Sequence, residues 1–129
     1  MIEWRAVVAV AIGAAIGGVL RYVVGQLFLQ RFGPGFPYGT LFINITGSFC
    51  IGIVAELGAT RVLGMTPLLR VLLATGVLGG YTTFSTFSLD AVTLLAEGIF
   101  PPFLYTMASV VLGFAGAGAG IVLARLAQR

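Results

Sequence analysis

The sequence predicts an all-α membrane protein of four transmembrane helices, the third of them broken at mid-membrane. Only 9% of its 129 residues are charged, against about 25% in an ordinary soluble domain, and the mean hydropathy is +1.10. Four apolar stretches fall at about residues 4–30, 38–60, 68–97 and 101–125, each long enough for a crossing that takes about 20 residues. The third stretch holds Gly79-Gly80-Tyr81-Thr82-Thr83-Phe84-Ser85-Thr86-Phe87-Ser88, with two adjacent glycines and five serine or threonine hydroxyls near its middle. Hydrocarbon offers no water to backbone N–H and C=O groups, so irregular backbone at that depth belongs where it is buried in protein or lines a cavity.

The first span is too long, and too poor in a small-residue cleavage pattern, for a signal peptide, and is expected to be a retained helix. Gly13, Gly17 and Gly25 recur on one side of it, the small-residue spacing that lets helix backbones approach closely in lipid. Arg21 lies on that side. A buried arginine normally faces a partner or a wet cavity, so a structural role is expected, with backbone carbonyls or Glu56 as partners. Phe32-Gly33-Pro34-Gly35-Phe36-Pro37 ends the span.

The second span places Thr40, Asn44, Ser48, Gly52 and Glu56 four residues apart, a polar and small stripe that drifts round the helix because the repeat is 3.6. Asn44 is its sharpest member. Its amide brings two N–H donors that suit an anion shedding water; an interhelical hydrogen bond, worth about 0.6 kcal/mol in membranes, is the plainer use. Cys50, the sole cysteine, is expected to be a buried small hydrophobe.

Gly64-Met65-Thr66-Pro67 separates the second span from the third, with Pro67 suited to a helix start. At about 30 residues the third span exceeds what a crossing requires. A glycine inside a helix costs about 1 kcal/mol relative to alanine, and two half-helices meeting near residues 79–84 account for both the length and the Gly79-Gly80 pair. Phe84 and Phe87 follow the break; a phenylalanine edge is positive and can meet a small anion, although packing is the commoner use. The segment from Gly98 to Pro102 leaves almost no loop before the fourth span, where Tyr105 and Ser109 stand one turn apart beside Thr106, and Gly116 and Gly120 continue the small-residue pattern.

Across these stripes the polar side chains are mostly neutral donors, and the acid rings of cation pores are missing. That pattern favours an anion path. The arginines are scattered at segment ends and form no basic patch, which argues against a nucleic-acid partner despite a pI near 9.6. Without histidine, a cysteine pair or clustered acids, no enzyme reading survives. The chain reads as one membrane domain with little interior of its own, so a solute path is expected between subunits.

The stretch Gly79 to Ser88 resembles the signature of the Fluc (CrcB) family of bacterial fluoride channels. So do Gly39-Thr40-Leu41, Asn44 and Gly47-Ser48-Phe49 in the second span and Leu20-Arg21-Tyr22 in the first. The resemblance runs through essentially the whole chain. It implies an antiparallel homodimer in the bacterial cytoplasmic (inner) membrane, with two pores for passive fluoride efflux. Phe84 and Phe87 match the pore phenylalanines, Asn44 the pore asparagine, Ser85 and Thr86 the hydroxyls at the break, and Tyr105 and Ser109 a polar track. Gly113 stands where a third hydroxyl of that track is expected, and Asp90 where the family often has glutamate. The backbone carbonyls of Gly79 and Thr82 match a structural Na⁺ site shared between subunits at the dimer centre.

Arg5, Arg61, Arg70, Arg125 and Arg129 fall near one membrane face and Arg31 near the other. The positive-inside rule then favours a single orientation, against the dual insertion that the family implies. The main rival reading is a small dimeric four-helix exporter of cations or multiple drugs. Proton-coupled export usually needs a carboxylate deep in a span, and Asp90 is the one acid well inside one. A glycine-packed assembly protein without transport is the second rival.

Overall fold

The computed structural model describes residues 2–60 and 64–129. Four helical spans cross in alternating directions, and no strand occurs among the described residues. We label α1 Trp4–Phe32, α2 Tyr38–Thr60, α3 residues 67–81, α4 Phe84–Leu94 and α5 Phe100–Leu126. The third span, Pro67–Glu97, comprises α3, α4 and a closing 3₁₀ turn at Leu95–Glu97.

Loop glycines make the reversals. Gly33, Gly64 and Gly98 have φ of 76°, 69° and 115°, a region where a Cβ is unfavourable. At the start of α3 the Thr66 hydroxyl accepts from the Leu69 amide at 3.1 Å, and Pro67 takes the first helical position, where its missing N–H is no loss.

Lipid tails are as apolar as leucine, so these helices associate through close van der Waals contact. Glycine supplies it in two places. Gly13 and Gly17 lie against the backbone of α3, where a Cβ on Gly17 would overlap the Val77 carbonyl oxygen. Gly52 and Gly120 do the same between α2 and α5, against Ala117 and Phe49. Gly25 has an open Cβ direction and lies opposite Gly39 of α2, where an added Cβ would come within 3.3 Å of Gly25 Cα.

Residues 71–78 of α3 are π-helical, a wider winding that is rare and often found at functional sites. The helix does not break at its glycine pair. Gly79 keeps φ −64° and ψ −35°, and the chain leaves helical geometry at Thr82 (ψ 160°) and Thr83 (ψ 125°). Gly80 answers instead to packing, since a Cβ there would come within 2.6 Å of the Ala14 carbonyl oxygen.

The alternation of spans puts Arg5, Arg70, Arg125 and Arg129 at one end of the molecule and Arg31 at the other; Arg61 lies outside the described residues. Glu56 bonds Arg125 Nε at 3.0 Å at the arginine-rich end, so it is not the partner of Arg21. Cys50 is exposed on α2 rather than buried. For a thin helical bundle in lipid, the outside is the apolar side, which a small hydrophobe satisfies equally well.

Candidate functional site

Two extended residues at mid-span create four backbone groups that need partners, because an unpaired buried amide or carbonyl is costly. The fold supplies all four. The Thr82 amide donates to the Leu78 carbonyl at 2.9 Å, and the Thr82 carbonyl faces Arg21 Nη1 at 3.5 Å, the outer edge of hydrogen bonding. The Thr83 amide donates to Asn44 Oδ1 at 2.9 Å, and Asn44 Nδ2 donates to the Thr83 carbonyl at 3.0 Å. Asn44 thus grips both main-chain groups of one residue. Gly47, one turn further along α2, leaves room for the Thr82 side chain, which a Cβ at that glycine would overlap.

Thr83 also starts α4. Its Oγ1 accepts from the Thr86 amide at 3.1 Å and lies 3.1 Å from Thr86 Oγ1 and 3.3 Å from Ser85 Oγ. A threonine cap of this kind is worth about 1 kcal/mol. Because the Thr83 N–H turns to Asn44, the Gly79 carbonyl loses the partner four residues on that an unbroken helix gives it. The C-terminal carbonyls of α3 and the N-terminal amides of α4 therefore meet at the break, a negative and a positive helix end side by side.

Beside the break lies a cavity of about 350 Å³ walled by Asn44, Ser48, Gly79, Thr82, Thr83, Phe84, Phe87 and Ser109, among others. Of the residues singled out from the sequence, Asn44, Phe84, Phe87, Ser109, Gly79 and Thr82 come together here. The rings of Phe84 and Phe87 are 5.7 Å apart, and Phe84 is 79% exposed. Ser109 donates to the Tyr105 carbonyl at 2.7 Å, so its oxygen reaches the cavity while its proton goes to the helix. A Cβ on Gly113 would sit 3.6 Å from Ser48 Oγ, which brings an α2 hydroxyl to the place where α5 lacks one.

Tyr105 stands behind this wall and is fully buried. Its hydroxyl donates to Asp90 Oδ2 at 3.3 Å, and its ring packs against Phe87 at 5.3 Å and edge-on to Phe36 at 5.6 Å. Thr86 faces a separate cavity with Arg21, Gln26 and Thr40; Ser85 turns toward Thr83. Thr83 and Ser48 line the cavity although sequence reasoning assigned neither a pathway role, Ser48 being read only as a member of the α2 polar stripe. Thr83 was legible as a hydroxyl residue just before a helical run, the pattern of an N-cap.

The chain matches the family model described as CrcB-like protein, Camphor Resistance (CrcB), over residues 8–121. It is 52% identical over 120 residues to a protein of Rhizobium meliloti (strain 1021) named fluoride-specific ion channel FluC, covering 92% of this chain and 95% of that one. It is 51% identical over 117 residues to the protein of the same name in Rhizobium leguminosarum bv. trifolii (strain WSM2304), covering 90% and 93%. A protein of Nitrobacter hamburgensis named fluoride-specific ion channel FluC 1 is 47% identical over 125 residues, covering 96% and 98%.

Proposed function

The chain belongs to the CrcB-like family, and from that premise we propose that it is a fluoride-specific ion channel, a multi-pass protein of the bacterial cytoplasmic membrane that lets fluoride leave the cell. The supporting observation is the wall of the break cavity: an amide held in place, two phenylalanine rings, hydroxyls and no carboxylate. Fluoride is small and strongly hydrated, so its passage needs donors and positive edges to replace water. The Asn44 amide has one N–H beyond the one given to Thr83, and the edges of Phe84 and Phe87 add positive rim charge. The α4 amides at the break contribute the positive end of a helix. Nothing in this wall supplies a proton for exchange, which disfavours the exporter reading. Purified protein in liposomes should release internal fluoride passively, and no faster release than from empty vesicles would refute the channel.

The pore is completed, in this reading, by a second copy set antiparallel, since the cavity of one chain is open and Phe84 is largely unburied. The distribution of arginines points the other way, toward one orientation. Labelling cysteines placed at both termini in intact cells decides it: each terminus should react from outside in part of the population, and complete protection of both rejects dual insertion.

A structural Na⁺ on the carbonyls of Gly79 and Thr82 fits the same break. Both residues line the cavity, the Gly79 carbonyl is released from its helical partner, and carbonyls at half-helix ends are suited to Na⁺. Arg21 near the Thr82 carbonyl is the competing cation. When bound, the ion supplies positive charge beside an anion path. Replacing Na⁺ by N-methylglucamine on both sides should slow fluoride efflux; an unchanged rate removes the ion from the account.

A further inference from the structure

A further cavity, of about 590 Å³, opens between α2 and α3 at the arginine-rich end, with Gly58, Thr66, Arg70, Ala74 and Thr75 on its wall. Ala74 also lines the break cavity, so the two share a wall residue. Arg70, Ala74 and Leu78 follow one another along α3 from the membrane face inward, with Leu78 on the break cavity's wall. The Arg70 stem lies across Gly58, where a Cβ would come within 2.8 Å of Cδ and 3.2 Å of Nε. This glycine seats the arginine. Arg70 is exposed, and the nearest acid in the sequence at this end of α2, Glu56, is already bonded to Arg125. Among the described residues Arg70 has no salt-bridge partner.

We propose that Arg70 is an anion-collecting residue: it concentrates small inorganic anions at the mouth of the α2–α3 groove and feeds them toward the break cavity. The inference rests on the fluoride-channel reading. A charge at the entrance of a low-dielectric cleft raises local counter-ion concentration. Such an effect must vanish with screening, since the Debye length falls from about 30 Å at 0.01 M salt to about 3 Å at 1 M. A guanidinium that only sets membrane orientation or holds the α2–α3 packing has no such salt dependence.

The test is the initial rate of fluoride efflux from liposomes at low and high ionic strength. Arg70→Gln should slow efflux about three-fold, and Arg70→Glu about ten-fold, near 0.01 M salt, with both close to wild type near 1 M. Arg70→Lys, which keeps the charge, should stay within about two-fold of wild type at both. Arg5→Gln serves as control: it lies at the same end but on a different groove, between α1 and α3, and should change nothing. Should the Gln and Glu variants fail to assemble, Arg70→Cys in a Cys50→Ala background, modified after assembly with a positively charged or a neutral thiol reagent, makes the same comparison: the positive adduct should pass fluoride about three-fold faster than the neutral one at low salt and equally at high salt. Equal rates for wild type, Gln and Glu at low salt overturn the inference, as does a loss that persists at high salt or a salt-independent wild type. Absence of fluoride efflux from wild type overturns the channel reading and this inference with it; normal wild-type efflux with silent Arg70 variants overturns this inference alone.

Discussion

Asn44→Asp is expected to lower fluoride efflux by at least about 100-fold, which corresponds to about 2.7 kcal/mol on the barrier. Aspartate can still accept from the Thr83 amide, 2.9 Å from Oδ1. It has no donor for the Thr83 carbonyl, now 3.0 Å from Nδ2, and instead opposes it with a second acceptor. It also puts a negative charge on the cavity wall. Two like charges 4 Å apart repel by about 4 kcal/mol at an effective dielectric of 20, enough on its own to exceed the stated loss. Asn44→Ala separates the two contributions. It adds no charge but leaves the Thr83 N–H and C=O without partners, at about 1–3 kcal/mol each, so thermal stability should fall along with efflux. Efflux assays and thermal melts of both variants check this; an aspartate variant that conducts like wild type would remove Asn44 from the path.

The second large effect concerns the two phenylalanines. Phe84→Ile should cut fluoride efflux by at least about ten-fold, or about 1.4 kcal/mol, while lowering the subunit's melting temperature less than Phe87→Ile does. The ring is 79% exposed, so its loss removes a positive edge from the cavity and, within the chain, only the contact with Phe87 at 5.7 Å. Phe87→Ile should reduce efflux similarly and also destabilise the fold, because its ring packs on buried Tyr105 at 5.3 Å and an aromatic pair is worth about 0.5–1.5 kcal/mol beyond its area. Measuring efflux beside melting temperature and elution volume distinguishes the cases. Wild-type efflux in both variants contradicts a pore role for the rings. A Phe84→Ile variant that loses efflux only by losing its assembly assigns that ring to the subunit interface.

These variants act where sequence and structure agree least simply. The glycine pair at 79–80 marked the interruption to within a few residues, but for a reason that holds only in part. Glycine's helix penalty is a local property, and locally the pair reads as a break. In the fold Gly80 is helical and lets Ala14 close in, while the interruption falls two residues later, at Thr82 and Thr83. Only the partner helix decides this, because the extended threonines need the Asn44 amide and the Gly47 gap before they are stable. Likewise Asn44, Ser48 and Glu56 form one stripe in sequence yet do three things: Asn44 clamps the break, Ser48 faces Gly113, and Glu56 bonds Arg125. Tyr105 and Ser109 are one turn apart, but Ser109 is on the cavity wall and Tyr105 behind it.

The sequence by itself determined the solvent, the four spans and the interruption of the third. Apolar length, charge scarcity and loop glycines act one residue at a time or within a single helix turn, and need no knowledge of neighbours. It also brought into view the glycines through which helices touch, since in lipid small size is the chief means of close approach. Only the tertiary structure decided which groups satisfy the broken backbone. Hydrogen bonds between residues 39 apart, such as those of Asn44 to Thr83, depend on helix rotation and register, which side-chain spacing leaves open. The same rotation sets Arg21 against the Thr82 carbonyl and Arg125 against Glu56, and leaves Arg70 at the mouth of a groove.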